Sequence, residues 1–397
     1  MTDLASHRSL VPPFHVMEVI AAAAEQEART GERVLHLEAG QPSAGAPPSA
    51  VAEAQRLLAS EATLGYTPTL GIAALRQRVA GWYTERYGVD VPVGRVVITS
   101  GATGAVVSTL LARFDAGQRV AFAVPGYACY PQLIAALGLH GVPVRVGPDD
   151  GFLLRVSHLE ALLDADGNPT IDGVIIASPA NPTGTQYPTE QLAEVLAWCS
   201  ANGVQLIADE LYHGITFDEP APTAVISDDA VVIGSFSKYF CMTGWRLGWM
   251  IAPEKLVAAV DRLSQHFYLS PPTLAQHIAI AAFDDVEILD AEVERYATNR
   301  SIMSAALTEI GVRDIAPCDG AFYLYGDVSH WGIDSMELAT TWLRDLGVAV
   351  TPGIDFDHER GGDWIRWSIA GSTEDIAEAC ERLRTWSASR GAGTADA

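Results

Sequence analysis

Short apolar runs alternate with longer amphipathic stretches through the middle of the chain. The runs are rich in Val, Ile, Leu and Ala and have no polar face, which is typical of strands buried on both sides of a parallel sheet. Such strands are predicted at 95–99, 119–123, 173–177, 204–208, 230–234 and 247–252. Helices are predicted between them, at 103–116, 127–139, 189–202 and 254–267. Strands that alternate with helices predict an open α/β sheet.

The pattern changes after residue 272. Long helical stretches come first, then short strands and a closing helix. These elements are predicted as helices at 272–283 and 286–310, strands near 320–326, 348–351 and 364–369, and a helix at 372–386. We interpret them as a smaller α+β unit, which the early amphipathic segment 14–29 is expected to join.

The same pattern predicts a division of the chain. Residues 1–13 are expected to form an N-terminal arm, and residues 51–289 a large domain. A small domain is predicted from 14–50 together with 290–386. The last segment, 387–397, is small, polar and Gly-containing (SASRGAGTADA). We therefore predict that this segment is a flexible tail.

Composition excludes several classes of protein. The 397 residues include 25 Lys and Arg against 49 Asp and Glu, a formal net charge of −24. A chain this acidic has no electrostatic reason to bind nucleic acid or an anionic membrane surface. No apolar run is long enough to span a membrane, and no secretory signal precedes the first elements.

The cysteines indicate the compartment. The five cysteines are scattered, odd in number and never spaced as CxxC. This arrangement argues against a disulfide framework and against a metal site. It favours a reducing cytoplasm.

Small and polar residues follow the predicted strands where ligands bind in open parallel sheets. Segment 100–104 (SGATG) opens a helix with residues suited to a phosphate cradle, although it could also be a plain turn. Tyr127 could stack on a flat ligand or could belong to the core. Asn181 begins a turn, NPTG. Asp209 directly follows an apolar strand, where a carboxylate is costly unless it is paired, so a buried cationic partner is expected.

Lysine usage singles out one residue. The chain has two lysines, Lys238 and Lys255. Arginine cannot lose its proton and act as a nucleophile, whereas a partly buried lysine can. Lys255 lies beside Glu254 at a predicted helix start, an ordinary surface position. Lys238 follows Ser235 in the motif SFSK between apolar strands, so covalent chemistry is expected there.

Taken together, these strand ends match the needs of pyridoxal 5′-phosphate. A lysine amine can form a Schiff base with its aldehyde, and a carboxylate can keep the pyridine nitrogen protonated. An aromatic ring can stack on the pyridine, while backbone N–H groups and an arginine can hold the phosphate.

The residues then identify a family resemblance. The motif SFSK at 235–238 and the segment TGWRLG at 243–248 resemble the lysine signature of the class I/II pyridoxal-phosphate aminotransferases, the fold-type I enzymes related to aspartate aminotransferase. NPTG, DELY, the segment EAGQP at 38–42 and the late Arg366 support the resemblance, which covers about 14–386. It implies a large domain with a mostly parallel seven-stranded sheet and a smaller α+β domain.

The resemblance also implies site residues. Lys238 would carry the cofactor and move the substrate's α-proton. Asp209 would pair with the pyridine nitrogen, Asn181 and Tyr212 would bond the phenolic oxygen, and Tyr127 would stack on the ring. The residues expected at the phosphate are Gly101, Ala102, Thr103, Ser235 and Arg246. Arg366, assisted by Asn181 and Gly40, would hold the substrate α-carboxylate.

One tyrosine implies a partner subunit. Segment 65–71 (GYTPTLG) fits a family motif whose tyrosine reaches the phosphate held by the other subunit. Tyr66 therefore implies a homodimer with shared active sites.

The substrate is less specified. The resemblance implies transfer of an amino group from an L-amino acid to a 2-oxo acid by a ping-pong reaction. Family members that act on aspartate need a second cation, and the helix segment 103–112 has none. We therefore expect a small neutral donor such as alanine or valine, with pyruvate or 2-oxoglutarate as acceptor. Arg78, Arg295 or a partner's arginine could still make it an aspartate or glutamate enzyme.

Other outcomes use the same scaffold. A β-elimination lyase and an amino-acid oxidase share its early chemistry. A non-enzyme alternative is a pyridoxal-phosphate-sensing transcription regulator. That class normally carries a basic N-terminal DNA-binding domain. This chain is acidic and its family pattern begins near residue 14, so we do not expect such a domain here.

Overall fold

Helices and strands alternate along a computed structural model that describes residues 6–393. The helices within this range are α1 (His15–Thr30), α2 (Pro48–Ala59), α3 (Ala73–Tyr87), α4 (Gly101–Arg113), α5 (Cys129–Ala136), α6 (Val156–Glu160), α7 (Thr189–Asn202), α8 (Glu254–Phe267), α9 (Thr273–Ala282), α10 (Val286–Glu309), α11 (Ser335–Leu346) and α12 (Thr373–Gly393). The strands are β1 (Leu35–His36), β2 (Val96–Thr99), β3 (Arg119–Val124), β4 (His140–Arg145), β5 (Gly173–Ala177), β6 (Gln205–Asp209), β7 (Val231–Ser235), β8 (Gly248–Ile251), β9 (Tyr323–Asp327), β10 (Val348–Ala349), β11 (Thr351–Pro352) and β12 (Trp364–Ser368).

A seven-stranded sheet forms the centre of the molecule, in the order β2-β8-β7-β6-β5-β3-β4. Strands β4, β3, β5, β6 and β7 run parallel. The apolar residues of β5, β6 and β7 are buried on both faces, as the uninterrupted runs predicted. The predicted α/β fold with a mostly parallel seven-stranded sheet is confirmed.

Strand β8 corrects one part of the prediction. The run at 247–252 was interpreted as another buried parallel strand, but β8 pairs antiparallel with both β2 and β7. Burial on both faces gives the same apolar pattern whichever way a strand runs. The pattern therefore could not indicate direction. The segment between β7 and β8 contains no α-helix of the kind that usually forms a parallel crossover.

The apolar pattern did not predict the edge strand β4. Its sequence, HGVPVR, contains Gly141 and Pro143, which have low strand propensity. Proline is tolerated on an edge strand, where its missing N–H costs no ladder bond. β4 pairs on one side only, with β3.

One helix is shorter than predicted. The helix expected at 127–139 begins at Cys129 and ends at Ala136. The residues before it form the turn that follows β3, and Gly138 adopts a φ of +79° just after it, a conformation that ends a helix. The turn leaves Tyr127 outside the helix, at the end of the sheet.

A second group of elements packs at the carboxyl ends of the parallel strands. β11, β12 and β9 form an antiparallel three-stranded sheet, and β1 pairs parallel with β10. Helix α1 contacts β10, β11 and α11. The early segment thus joins the C-terminal elements, although the domain boundaries near residues 50 and 290 stay predictions.

The end of the chain is more ordered than its composition indicated. Residues 387–393, which we predicted to begin a flexible tail, continue helix α12. Trp386 anchors this end, because its ring packs edge-on against Trp331 and Trp342, with centroids 5.2 and 5.5 Å away. The Arg390 guanidinium lies 4.6 Å from the Trp386 ring. The rest of the predicted tail, 394–397, lies outside the described residues, as do residues 1–5 of the predicted arm.

Within the described part of the chain, no helix is both long and apolar enough to cross a membrane.

A buried carboxylate fixes the start of α1. Asp355 lies in the turn Gly353–Asp355 after β11 and is 3% exposed. Its two oxygens accept the backbone N–H groups of His15 and Val16, each at 2.8 Å. These N–H groups have no partner within the helix, so Asp355 acts as a cap supplied from a distant part of the chain.

Replacing this cap should loosen α1 selectively. We expect Asp355→Ala to cost about 1 kcal/mol of local stability, which is roughly a fivefold increase in opening. Hydrogen–deuterium exchange of peptides covering 15–30 measures the effect. Asp334→Ala is the matched control, because Asp334 caps α11 through the Met336 N–H at 2.9 Å. It should accelerate exchange in 335–346 instead. Unchanged exchange of α1 in Asp355→Ala would contradict this role.

Candidate active site

A cavity of about 660 Å³ opens where the parallel strands end and the C-terminal elements begin. A smaller cavity of about 140 Å³ adjoins it. Tyr127, Tyr130, Asp209, Leu211 and Lys238 line both. The combined space is in the range of small-molecule sites, and its position beyond the strand ends is the one expected of a parallel sheet.

Lys238 lies between the two cavities, three residues after β7. It is partly buried, and its Nζ donates a hydrogen bond to the carbonyl oxygen of Gly40. Burial, together with the nearby charges of Arg366 and Arg246, lowers the pKa of Lys238 to about 8, while Asp209 opposes them. An amine with this pKa is neutral in about a tenth of molecules at pH 7, and the neutral form is the one that acts as a nucleophile or proton acceptor.

Asp209 ends β6 and is 1% exposed. Tyr130 donates its hydroxyl to Asp209 Oδ2 at 2.6 Å, and the Leu211 N–H approaches Oδ1 at 3.3 Å. Burial raises the pKa of Asp209 to about 6, while these bonds and Lys238 hold it down. Among the described residues, the direct partners of this carboxylate are thus a tyrosine hydroxyl and a backbone N–H, not the cation that the sequence predicted, and Lys238 acts on it only through its charge.

Sequence reasoning missed Tyr130. Its signal was nevertheless present, because Tyr130 lies in the first turn of α5 and Tyr127 comes three residues earlier, in the turn before the helix. Their rings meet edge-on with centroids 5.4 Å apart. Both side chains therefore reach the same end of the sheet.

The start of α4 forms a cradle with Arg246. Gly101 has a φ of +77°, and a Cβ added there would lie 2.9 Å from Arg246 Nη2. Glycine is therefore required both by the backbone and by the close guanidinium. No side chain caps the first N–H groups of α4. Ala102, Thr103, Ser235 and Arg246 line the smaller cavity.

These donors fit a phosphate. The free N–H groups at a helix start, the hydroxyl groups and a guanidinium are all groups that bind phosphate oxygens. Arg246 itself adopts a φ of +52° and bonds the Thr243 carbonyl at 2.9 Å through Nη1. The site residues present thus fit the cofactor expected from the sequence.

Arg366, on β12, is held on the opposite wall of the larger cavity and is 2% exposed. Its guanidinium donates to Asn181 Oδ1 at 2.9 Å, to the Glu38 carbonyl at 2.7 Å and to Thr351 Oγ1 at 2.9 Å. The Nε–H remains buried without a partner. Such a guanidinium is prepared for one more anionic ligand.

Two tyrosines complete this wall. Tyr212 and Tyr323 share a hydrogen bond of 2.7 Å between their hydroxyl oxygens, and burial raises the pKa of Tyr212. The Tyr323 ring lies 4.3 Å from the Arg366 guanidinium carbon. A Cβ added at Gly40 would lie 2.7 Å from the Tyr323 hydroxyl, so only glycine fits there. Tyr323 carried no distinct sequence signal, since it lies within an apolar strand.

The structure therefore brings together every predicted site residue except Tyr66. Tyr66 lines neither cavity, and it is 83% exposed. Its predicted place at a partner's phosphate, like the other individual roles, stays a prediction.

Known proteins are similar to this chain over nearly its whole length. The sequence model of the family described as aminotransferase class I and II matches residues 32–383. A valine–pyruvate aminotransferase of Mycobacterium tuberculosis is 46% identical over 97% of this chain and 99% of that protein. An aspartate aminotransferase of Thermotoga maritima is 32% identical over 96% of this chain and 98% of that protein.

Solved structures of aminotransferases superpose on this chain. A crystal structure of an aminotransferase from Mycobacterium tuberculosis superposes with a TM-score of 0.93 at 46% identity, covering 98% of this chain and 100% of that chain. The family resemblance seen in the motifs is thereby confirmed. This chain belongs to the class I and II aminotransferases, which are transferases that depend on pyridoxal 5′-phosphate.

Proposed function

We propose that this enzyme transfers the amino group of a small neutral L-amino acid, valine or alanine, to a 2-oxo acid, and that pyruvate is the preferred acceptor when valine is the donor. The observation that carries the proposal is the apolar wall that α1 and the residue before it present to the larger cavity. Phe14, Val16, Met17 and Ile20 line it. An aliphatic side chain is favoured against such a wall, whereas a carboxylate there would lose its hydration.

The cations support the same choice. Among the described residues, the lysines and arginines that line the larger cavity are Lys238 and Arg366. The arginines that the sequence left open are engaged elsewhere. Arg78 pairs with Glu85 at 3.0 Å, and Arg295 pairs with Glu292. Among residues 6–393, no further lysine or arginine therefore lines this cavity to bind a distal carboxylate.

The similarity to the valine–pyruvate aminotransferase of Mycobacterium tuberculosis points in the same direction, since the aspartate aminotransferase of Thermotoga maritima is less similar. Both of these relatives are named as enzymes, which supports a catalytic role over a sensory one.

Cofactor binding follows from the residues around the smaller cavity. Pyridoxal 5′-phosphate, when bound, supplies an aldehyde and a pyridine ring that accepts electrons from the substrate's α-carbon. Lys238 would hold it covalently, and Asp209 would hold the proton on its ring nitrogen. Tyr127 would cover the ring face, and Asn181 and Tyr212 would bond the phenolic oxygen. The phosphate would be bound by Gly101, Ala102, Thr103, Ser235 and Arg246.

Arg366 would orient the substrate. Its planar guanidinium can bind the α-carboxylate at two points, with Asn181 and the Gly40 backbone beside it. Lys238, once its amine is free, would take the proton from the substrate's α-carbon. The positive charges of Arg366 and Arg246 keep this amine less basic, so it can both accept and return a proton.

We further propose a homodimer in which Tyr66 reaches the partner subunit's cofactor phosphate. Its hydroxyl belongs to a side chain that is 83% exposed and therefore available to a partner. All five cysteines are free, which supports a reducing cytoplasm as the location.

Donor specificity tests the function directly. Holoenzyme supplied with valine and pyruvate should form alanine and the matching 2-oxo acid. We expect kcat/KM for aspartate as donor to be at least about tenfold lower, because its second carboxylate loses hydration without gaining a cation. Amino-acid analysis measures both products. Faster transfer from aspartate or glutamate would overturn the proposal, and release of ammonia would favour a lyase or oxidase.

Lysine replacement tests the assigned nucleophile. Lys238→Ala should lower kcat by at least about a thousandfold, because no other side chain can carry the cofactor and move the proton. Lys255→Ala is the matched control, since Lys255 is the other lysine and is exposed in the first turn of α8. Comparable loss in both variants would contradict the assignment.

The electrostatics of Lys238 can be measured in cofactor-free protein. Acylation of Lys238 by a small reagent should rise with pH, with a midpoint near 8, and level off roughly one pH unit higher. The Asp209 carboxylate favours the protonated amine, so Asp209→Asn should move this transition to lower pH. Peptide mass spectrometry follows Lys238 and Lys255 in one sample, and Lys255 should not respond to Asp209→Asn. A transition that moves to higher pH would contradict the arrangement.

A further inference from the structure

Glu38 lies in the wall of the larger cavity and has no part in the roles described so far. It follows β1, and its backbone carbonyl accepts the 2.7 Å bond from Arg366 Nη2. Glu38 is 1% exposed and lines the cavity. Because side chains alternate along an extended segment, His36 and Glu38 share one face while Leu35 and Leu37 pack into the core on the other.

The carboxylate of Glu38 is only partly compensated. Oε1 lies 2.8 Å from Nδ1 of His36, but Oε2 is buried without any hydrogen-bond partner. Among residues 6–393, His36 is the sole ion-pair partner of this carboxylate. A buried carboxylate oxygen without a hydrogen-bond donor lowers the stability of the folded protein, so such oxygens are rare and often have a functional explanation.

The cluster of Glu27, His36 and Glu38 is negative in every protonation state of His36 when both carboxylates are ionised. The Nε2 atom of His36 faces Glu27 Oε1 at 3.6 Å. One imidazole between two carboxylates leaves the cluster with a net charge of about −1 when the imidazole is protonated and about −2 when it is neutral. The neighbouring lining residues are apolar and add no cation to the cluster; they are Phe14, Val16, Met17 and Ile20.

We propose that Glu38 is a specificity-determining residue. It repels a second carboxylate and so restricts this aminotransferase to donors and acceptors whose only carboxylate is the α-carboxylate. Within a cavity shielded from water, two like charges repel more strongly than in solution. Such a repulsive element discriminates between partners without improving binding of the preferred one. The inference rests on the proposed neutral-donor function and names the residue that enforces it.

The repulsion acts differentially between substrates. Every donor and acceptor carries an α-carboxylate, which Arg366 can hold, so any effect of Glu38 on that group is common to all of them. Only aspartate, glutamate and 2-oxoglutarate place a second negative charge in the cavity. A ratio of two substrates therefore isolates the effect of Glu38.

The test replaces the charge with an isosteric amide in holoenzyme. In Glu38→Gln, the ratio of kcat/KM for 2-oxoglutarate to that for pyruvate, with valine as donor, should rise at least tenfold. Calorimetric binding of succinate and butyrate gives a second readout that does not depend on turnover. These C4 acids differ by one carboxylate, and succinate affinity relative to butyrate should also rise about tenfold.

Control variants separate charge from structure. Glu27→Gln removes a charge from the same cluster, but the Glu27 side chain is 38% exposed and screened by solvent, so its ratio should change less than threefold. Glu38→Asp keeps the charge and should keep the low ratio. Glu38→Ala removes the charge without introducing an amide, and it should shift the ratio in the same direction as Glu38→Gln.

The outcomes distinguish the inference from the function beneath it. Wild-type transfer from valine to pyruvate with an unchanged ratio in both Glu38→Gln and Glu38→Ala would overturn the role of Glu38 and leave the function standing. Wild-type enzyme that prefers aspartate and 2-oxoglutarate would overturn both. An equal rise in Glu27→Gln would also overturn the role of Glu38, because it would assign the effect to the cluster's distant field.

Discussion

The buried guanidinium of Arg366 is the interaction on which the rest of this architecture depends. A charge that is 2% exposed must be surrounded by acceptors, and three separate parts of the chain supply them. Asn181 comes from the end of β5, the Glu38 carbonyl follows β1, and Thr351 lies on β11. The C-terminal elements are therefore joined to the central sheet through the same group that is suited to bind a carboxylate. The same guanidinium therefore both holds the two parts of the molecule together and, as proposed, positions the substrate.

Local charge opposes global charge around the cavities. The chain carries a formal net charge of −24, yet Arg366 and Arg246 dominate the field near Lys238, after burial itself, and lower the pKa of its amine. Asp209 exerts the opposite influence, and burial raises the pKa of that carboxyl to about 6. Groups with opposed influences at short distance are what allow an amine and an acid to work near neutral pH. The acidic exterior has no role in this balance, because solvent screens it.

Much of this could be predicted from the sequence, and the exceptions have physical causes. Strand and helix positions followed from apolar periodicity, while the direction of β8 did not, since burial produces the same pattern in both directions. The Gly141 and Pro143 edge strand lacked a strand pattern. Asp209 was visible because a carboxylate directly after an apolar strand is unusual, and Lys238 because it is one of two lysines. Arg366 was identified only through the family resemblance. Tyr323 and the unpartnered oxygen of Glu38 were not visible, because only the folded geometry reveals which face a side chain takes and whether its hydrogen bonds are satisfied.

The capping of α1 by Asp355 has a consequence for the order in which the enzyme assembles. Helix α1 carries most of the apolar wall of the cavity, yet the carboxylate that accepts its first N–H groups lies 340 positions later than His15. A ribosome therefore finishes most of the chain before this helix can dock, and the long-range contact is slow to form. During synthesis the nascent sheet can fold ahead of its substrate wall. Specificity is thus added last, to a scaffold whose strand ends have already gathered the groups for chemistry.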